Sequence, residues 1–343
     1  MSFKPRIATT MGDPAGVGPE LCLRLLAEEE LAHECTPVIF GNSSILNRVA
    51  EASGLTPPEC ILNGGNWQKE MRKVERPCLL DLPSPGISAV KPGEHSAEAG
   101  RAAGHYINTA IAAALDGQVD AITTAPLNKK ALHLAGIPHP GHTEILAEQT
   151  GSESFCMMQY SGEITATFVT CHVGLSEVSA LITSERVLEV IRLTADALDK
   201  LPERPSQKII VLGLNPHSGE GGLFGNGEEE TAIIPAINAA RKLGIEIEGP
   251  IPPDTAFLPG RRAATACFVC MYHDQGHIPL KALAFDQAVN ITLGLPIVRT
   301  SVDHGTAFDI AWQGTADTGS LLNAVRLASR FALNKTATDA VQP

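Results

Sequence analysis

Along this chain, short runs of aliphatic and β-branched residues alternate with longer stretches in which apolar side chains recur every three or four positions. The short runs, bounded by Gly, Pro, Asp or Asn, predict strands, and the periodic stretches predict helices with one buried face. RIATT at 6–10 predicts the first strand, followed by the turn-rich GDPAGVGPE and a helix through ELCLRLLAEEE. PVIFG (37–41), CLLDL (78–82), DAITTAP (120–126), KIIVLGL (208–214) and CFVCMYH (267–273) predict further strands. Helices are expected over 43–52, 96–115, 184–200 and about 228–243. FCMMQY and ITATFVTCHV, joined by SGE, read as an antiparallel pair, whereas QAVNITLGLPIVRTSVDHGTAFDIA reads as irregular, site-forming loops. Alternating strands and helices predict an α/β fold with a largely parallel sheet covered by helices.

At 343 residues the chain is long enough for two domains. Aromatic residues are only 4% of a composition that is 44% hydrophobic, so aliphatic side chains must fill the core. The net charge of −12 argues against a nucleic-acid or anionic-membrane partner, although a few local cations suffice to bind a small anion. No run approaches the ~18 apolar residues of a membrane span, and the first residues lack a signal-peptide pattern, so a cytoplasmic location is expected. Cys267 and Cys270 form a CxxC, but on a strand their side chains point to opposite faces. They read as buried, reduced thiols.

The candidate chemistry lies at strand ends. His172, His217 and His273 each close a predicted strand, where open α/β sheets place ligands. Three imidazoles with one open position suit a catalytic divalent metal. The competing reading is three unrelated histidines, each satisfying a loop hydrogen bond. Asp274 is a natural orienting partner for an imidazole or a strand-end cap, and His277 falls one helical turn beyond His273. HDQGH does not match the HExxH metalloprotease pattern. For anions, GDPAGVGPE would present backbone N–H groups at a helix start, although Leu21 stands where the dinucleotide fingerprint has its third glycine. Thr143 in GHTE (141–144) is a plausible helix N-cap, and His142 and Thr143 are candidate donors to a phosphate or carboxylate. Lys281, Asn290 and Arg299 lie in a mostly apolar stretch, so the two cations either hold an anion or bury only their stems. There is no Walker A sequence and no GxSxG.

The blocks MGDPAGVGPE, TAPLNKKAL, GHTE, GLNPHSGEGGLFG, YHDQGHIPLK and VNITLGLPIVRTSVDHGTAFDIA together resemble the 4-hydroxythreonine-4-phosphate dehydrogenase family over nearly the whole chain. The resemblance implies a two-domain fold like the isocitrate and isopropylmalate dehydrogenases, with an active-site cleft between domains. It implies an outer, cofactor-side domain of residues 1–128 and 287–343, and a central dimerisation and metal domain of residues 129–286. It also implies a homodimer with shared active sites. His172, His217 and His273 would hold one divalent ion (Zn, Mg, Mn or Co), one of them supplied by the partner subunit. His142, Thr143, Lys281, Asn290 and Arg299 would contact the phosphorylated substrate. NAD, with NADP possible, would bind without the glycine fingerprint, and His304, Gly305 and Asp309 are the candidates for contacting it. AWQGTA departs from the usual continuation of that last loop.

The implied reaction oxidises a 3-hydroxy acid at C3, hydride leaving to NAD, and the resulting β-keto acid loses CO2. The metal would acidify the hydroxyl and stabilise the enolate. Lys281, or a water on the metal, handles the proton, with Asp274 beside it. The substrate is expected to be 4-phosphooxy-L-threonine, giving 3-amino-2-oxopropyl phosphate for vitamin B6 synthesis. A second branch of the family, similar especially in FDIAW, acts on threonate or erythronate 4-phosphate and yields dihydroxyacetone phosphate. A third handles aromatic cis-diol carboxylates and fits the phosphate-site residues less well. A metal-dependent phosphate-ester hydrolase and a non-catalytic binding protein are the readings from other classes.

Overall fold

The computed structural model describes residues 3–64, 67–139, 141–201, 206–284 and 288–339, with side chains to Asn334. The chain forms two compact units, one of residues 1–153 and 295–343 and the other of residues 154–294.

The first unit begins with β1 (Arg6–Thr10), α1 (Gly18–Leu26), α2 (Glu29–Glu34), β2 (Thr36–Gly41), α3 (Ser43–Ser53) and β3 (Ile61–Asn63). It continues through α4 (Trp67–Met71), β4 (Cys78–Asp81), α5 (Ala97–Leu115), β5 (Ala121–Thr124), α6 (Lys129–Leu134) and α7 (His142–Thr150). The second unit contains β6 (Cys156–Tyr160), β7 (Thr165–Phe168), α8 (Leu175–Leu181), α9 (Ser184–Leu198) and β8 (Ile209–Leu212). A π-helical turn, Glu229–Ile233, then leads into α10 (Ile234–Lys242). β9 (Ile247–Ile251), α11 (Pro253–Ala256), α12 (Pro259–Ala263), β10 (Cys267–Cys270), α13 (His273–Ala284) and β11 (Val289–Leu293) complete this unit. The chain returns to the first unit with β12 (Arg299–Val302) and α14 (Gly319–Asp339).

In the first unit the strands run in the order β3-β4-β2-β1-β5-β12, all parallel. Such strands are buried on both faces, which is why VIF in β2 and AITT in β5 are wholly enclosed. Ile7, Val38, Phe40, Leu80 and Tyr106 belong to its core. The order reverses at β1, with β2 on one side and β5 on the other. Ligands of open α/β sheets bind beyond the carboxyl ends of strands at such a point. In the second unit the order is β11-β6-β7-β10-β8-β9, antiparallel across β11-β6-β7 and parallel beyond β7. Phe168, Ile210, Leu212, Phe268 and Leu280 pack beneath it.

Several expectations are corrected. The helix through ELCLRLLAEEE breaks at Ala27 and restarts at Glu29. The stretch expected to be irregular contains β11 and β12, because Val289, Ile291 and Leu293 pair with β6, and Arg299–Ser301 pair with β5. The strand expected over 267–273 stops at Cys270. Gln275 turns the chain there by accepting a hydrogen bond from Met271 N at 2.6 Å and donating to Gly213 O at 2.8 Å. His273 therefore opens a helix rather than closing a strand. α5 and α6 both belong to the compact unit of residues 1–153 and 295–343. α6 lies so close on α5 that a Cβ on Gly100 would sit 2.0 Å from the Ala131 carbonyl oxygen.

Six of the eight cysteines are buried, Cys267 and Cys270 among them, and all eight are free thiols. Among the described residues, no helix is long and apolar enough to cross a membrane.

Candidate functional site

The carboxyl end of β5 and the start of β12 carry the first group. Arg299 is 3% exposed. Its guanidinium donates to Thr124 Oγ1 at 2.8 Å. Burial pushes its pKa down to about 10, opposed by the Glu144 carboxylate, so it stays charged at neutral pH. His142, the first residue of α7, bonds to the Ala125 backbone, and its Nε2 is buried with no hydrogen-bond partner. Burial, then the Arg299 charge, hold the imidazole pKa well below its ordinary value, against that backbone bond. A buried cation beside an imidazole that becomes a second donor on protonation, which an arriving anion favours, has the composition of an anion site. Thr143 is not the N-cap expected of it. The cap is Gly141, with no side-chain bond, and Thr143 sits inside the first turn, half-buried.

Two loops singled out in the sequence meet in the same unit. Val17 N donates to Thr306 O at 3.0 Å, and a Cβ on Gly16 would meet Thr306 O at 2.7 Å, so only glycine permits this approach. Trp312 Nε1 donates to Pro14 O at 3.0 Å, and the Arg48 guanidinium stacks 4.8 Å from the Trp312 ring. The fully buried Glu20 accepts from Gly314 N at 3.0 Å and Ala316 N at 2.8 Å. The unusual AWQGTA continuation thus clamps the N-terminal loop. His304, Gly305 and Asp309 lie exposed on the clamped loop, and nothing lies within 4 Å of a Cβ placed on Gly305. Asp13 is buried. Ala15 N bonds its Oδ1 at 2.8 Å, and its Oδ2 has no partner. Burial, opposed by that bond, raises the carboxyl to about 6.

The second unit holds the metal-type donors. Cys171, His172 and His273 each bring one ligand-type atom into a group spanning no more than 4.8 Å. Beyond β7 the chain continues alongside β10, with Val169 N on Cys270 O at 2.8 Å and Thr170 N on Met271 O at 3.1 Å. That register carries residues 171 and 172 to the start of α13, and the rings of His172 and His273 are 6.0 Å apart. Asp274 Oδ1 lies 2.7 Å from His273 Nδ1, which leaves Nε2 as the nitrogen that could meet an ion. Imidazole and thiolate donors fit a divalent ion of the zinc or cobalt kind. His277 stacks on His273 at 3.8 Å and on Phe168 at 4.5 Å. Its Nδ1 donates to His273 O at 2.9 Å, and burial, partly opposed by that bond, depresses its pKa to about 4. It stays neutral and supports the His273 ring.

His217 is not a member of this group. It is exposed on the loop after β8, its ring 6.2 Å from that of Phe224. His217, Ser218 and Glu220 all take positive φ, at 53°, 54° and 44°. Consecutive left-handed non-glycine residues are strained and need external support. The buried Glu229 carboxylate supplies it, accepting from Leu214 N, Asn215 N and Asn215 Nδ2 at 2.8–2.9 Å. Glu228 adds bonds from Asn226 N, Asn215 Nδ2 and the Ser179 hydroxyl. These outweigh burial, and its pKa falls to about 2. Lys281 is exposed on α13, two turns beyond His273, whereas Asn290 on β11 is half-buried with its Oδ1 unpartnered.

Cys171, Glu20, Trp312 and Glu229 were not among the expected site residues. Cys171 is readable once thiols are counted with imidazoles as donors. The other three act through backbone contacts that leave no side-chain spacing to read.

The sequence model of the pyridoxal phosphate biosynthetic protein PdxA matches residues 33–328. A relative from Geobacter metallireducens named 4-hydroxythreonine-4-phosphate dehydrogenase is 44% identical, across 96% of this chain and 96% of its own. One from Salmonella typhimurium named D-threonate 4-phosphate dehydrogenase is 43% identical, across 95% of this chain and 98% of its own. The crystal structure of a Klebsiella pneumoniae 4-hydroxythreonine-4-phosphate dehydrogenase superimposes with a TM-score of 0.84 at 41% identity, covering 96% of this chain and 99% of that one. On this match and these relatives, the chain belongs to the PdxA family.

Proposed function

We propose that this protein is a metal-dependent, NAD-linked dehydrogenase that oxidises and decarboxylates a four-carbon 3-hydroxy acid 4-phosphate, with 4-phosphooxy-L-threonine as its substrate. The observation carrying this reading is the buried Arg299 beside His142, whose Nε2 lacks a partner. A guanidinium at 3% exposure, fixed by Thr124, offers a phosphate both charge and bidentate donor geometry.

His142, Thr143, Arg299 and Asn290 are assigned to the substrate's anionic and polar groups. They fix its position, and positioning is a large part of what a hydride transfer needs from the protein. His172 and His273, with His217, are assigned to the divalent ion, which when bound acts as a Lewis acid towards the substrate oxygens. Only two of these histidines meet within one chain, which supports a homodimer in which a second copy completes the set. Asp274 fixes the His273 tautomer. Lys281, exposed and one turn beyond His277, can accept or return a proton on the substrate hydroxyl. His304, Gly305 and Asp309 are assigned to NAD, on a loop that Glu20 and Trp312 hold in one conformation. The second reading, oxidation of D-threonate 4-phosphate to dihydroxyacetone phosphate, is favoured by the Salmonella typhimurium relative. The two substrates differ only at C2, amine against hydroxyl.

The test is NADH formation from each substrate, with and without chelator. Turnover of the amino acid assigns the biosynthetic reaction, and turnover of the sugar acid alone assigns the other. Phosphate release without NADH would replace both with a hydrolase. Lys281→Met should lower kcat sharply with KM little changed, and full turnover would remove the lysine from proton transfer. Full activity in a species that sediments as a monomer would overturn the shared site.

A further inference from the structure

We propose that Cys171 is a sulfur ligand of the divalent ion, so that the site is a mixed sulfur and nitrogen site with a built-in preference for soft metals. This rests on the metal reading of His172 and His273 given above and adds a donor that the histidine set does not include.

The argument is one of placement. Cys171, His172 and His273 present their donor atoms within 4.8 Å of one another, so shifts of about an ångström bring them to the separations of a tetrahedral shell, whose bonds are ~2.0–2.3 Å. The β-type bonds just before Cys171 fix that placement. Residues 169 and 170 are bonded to the β10 extension through Val169 N, Thr170 N and Thr170 Oγ1, the last at 2.8 Å from Met271 O. Arg186 Nε holds the Val169 carbonyl at 3.1 Å. The thiol is half-buried, and one of its contacts is the thioether of Met157, 3.7 Å from Sγ. A thioether is a weak acceptor that a metal displaces at little cost. The remaining thiols lack this setting: six are buried, and Cys60 lies outside the donor group.

Chemically, a thiol binds a divalent ion by releasing its proton to solvent as the sulfur–metal bond forms. No oxidant or second reactant is needed. Thiolate favours Zn2+ and Co2+ over Mg2+, which takes oxygen ligands, so Cys171 sets which metal the protein retains from a mixed pool. Sulfur also donates more charge than imidazole, which moderates the Lewis acidity of the bound ion.

The experiment is cobalt reconstitution of the full-length protein after metal stripping, followed by absorption spectroscopy at one equivalent of Co2+. The expected result is a near-ultraviolet sulfur-to-cobalt charge-transfer band accompanying the visible ligand-field bands. Cys171→Ser should lose the first and keep the second, and its zinc-over-magnesium preference should fall about tenfold or more. Should the variant not fold, X-ray absorption of the parent zinc form serves instead, with one sulfur scatterer at about 2.3 Å expected. Visible bands without the charge-transfer band, or a band that persists in Cys171→Ser, would overturn the sulfur ligand and leave the histidine site standing. If no cobalt binds at all, the metal reading of the whole site fails with it.

Discussion

The first unit keeps its chemistry buried, and the second leaves it open. Arg299 at the start of β12 and Asp13 beyond β1 are buried charged groups, and half-buried His142 opens α7, with His142 Nε2 and Asp13 Oδ2 lacking partners. His172 is exposed and His273 half-exposed. On the function proposed above, the two regions take different ligands. A dry cation discriminates strongly between ligands, since only an anion of the right shape compensates its lost hydration. An open donor group must instead let a hydrated ion shed water in steps and keep a position for substrate.

The contrast can be broken at its largest expected effect by Arg299→Met. kcat/KM should fall by about three orders of magnitude, on the ~4 kcal/mol scale of truncating a buried charged contact. The melting temperature should hold or rise, because an apolar side chain replaces a buried charge. A parallel collapse of activity and melting temperature would make Arg299 a structural residue.

Asp13→Asn probes the same burial through stability. The folded carboxyl titrates near 6 against an ordinary value of 3.8, so the folded state binds this proton more tightly. The parent is therefore most stable below about pH 4, loses stability as pH rises from 4 to 6, and stays penalised above. The variant should be the more stable protein at pH 7, by up to about 3 kcal/mol, and equal to the parent in acid, as urea titrations at both pH values would show. An unchanged difference across pH would mean Asp13 is solvated.

In the open region, Asp274→Ala should weaken zinc binding by about 10–100-fold in calorimetry while leaving the melting temperature of the metal-free protein unchanged. A lowered metal-free melting temperature would show that the Asp274 bond to His273 is structural. The smallest effect is proton linkage at His142. Its free imidazole is neutral, and a bound anion favours protonation, so the affinity for sulfate should rise as pH falls from 8 to 6, by up to about tenfold. His142→Asn should abolish the slope; if the slope survives, the proton is taken up elsewhere.

Much of this was legible in the chain itself. RIATT, PVIFG and CLLDL announce parallel strands because such strands are uniformly apolar or β-branched. Ser96 caps α5, the helix expected over 96–115, its Oγ accepting from Ala99 N at 3.1 Å. β11 and β12 were hidden by their glycine and polar content. Asn290 and Thr292 alternate with aliphatic residues, but the run ends at Gly294, whose φ of +87° and close approach to Ser154 O make it a corner rather than a loop. Lys281 and Arg299 looked alike in sequence, each a cation among apolar residues. A helix gives Lys281 an exposed face, whereas the start of β12, paired with β5, leaves Arg299 buried. His273 looked like a strand end because the Gln275 side chain that turns the chain bonds to Gly213, far away in sequence. Glu229 was read only as part of a helix, since its partners are backbone N–H groups.

The division of the first unit into residues 1–153 and 295–343 bears on how the protein is made. β5 has β1 on one side and needs β12 on the other, but residues 299–302 leave the ribosome after the whole second unit has been synthesised. Emerging in one piece, the later unit can finish folding first, while the earlier one waits with a bare strand edge and the contact surface of α14 uncovered. Nascent chains arrested before residue 295 should consequently engage holdase chaperones through their N-terminal half, and release should coincide with the appearance of α14.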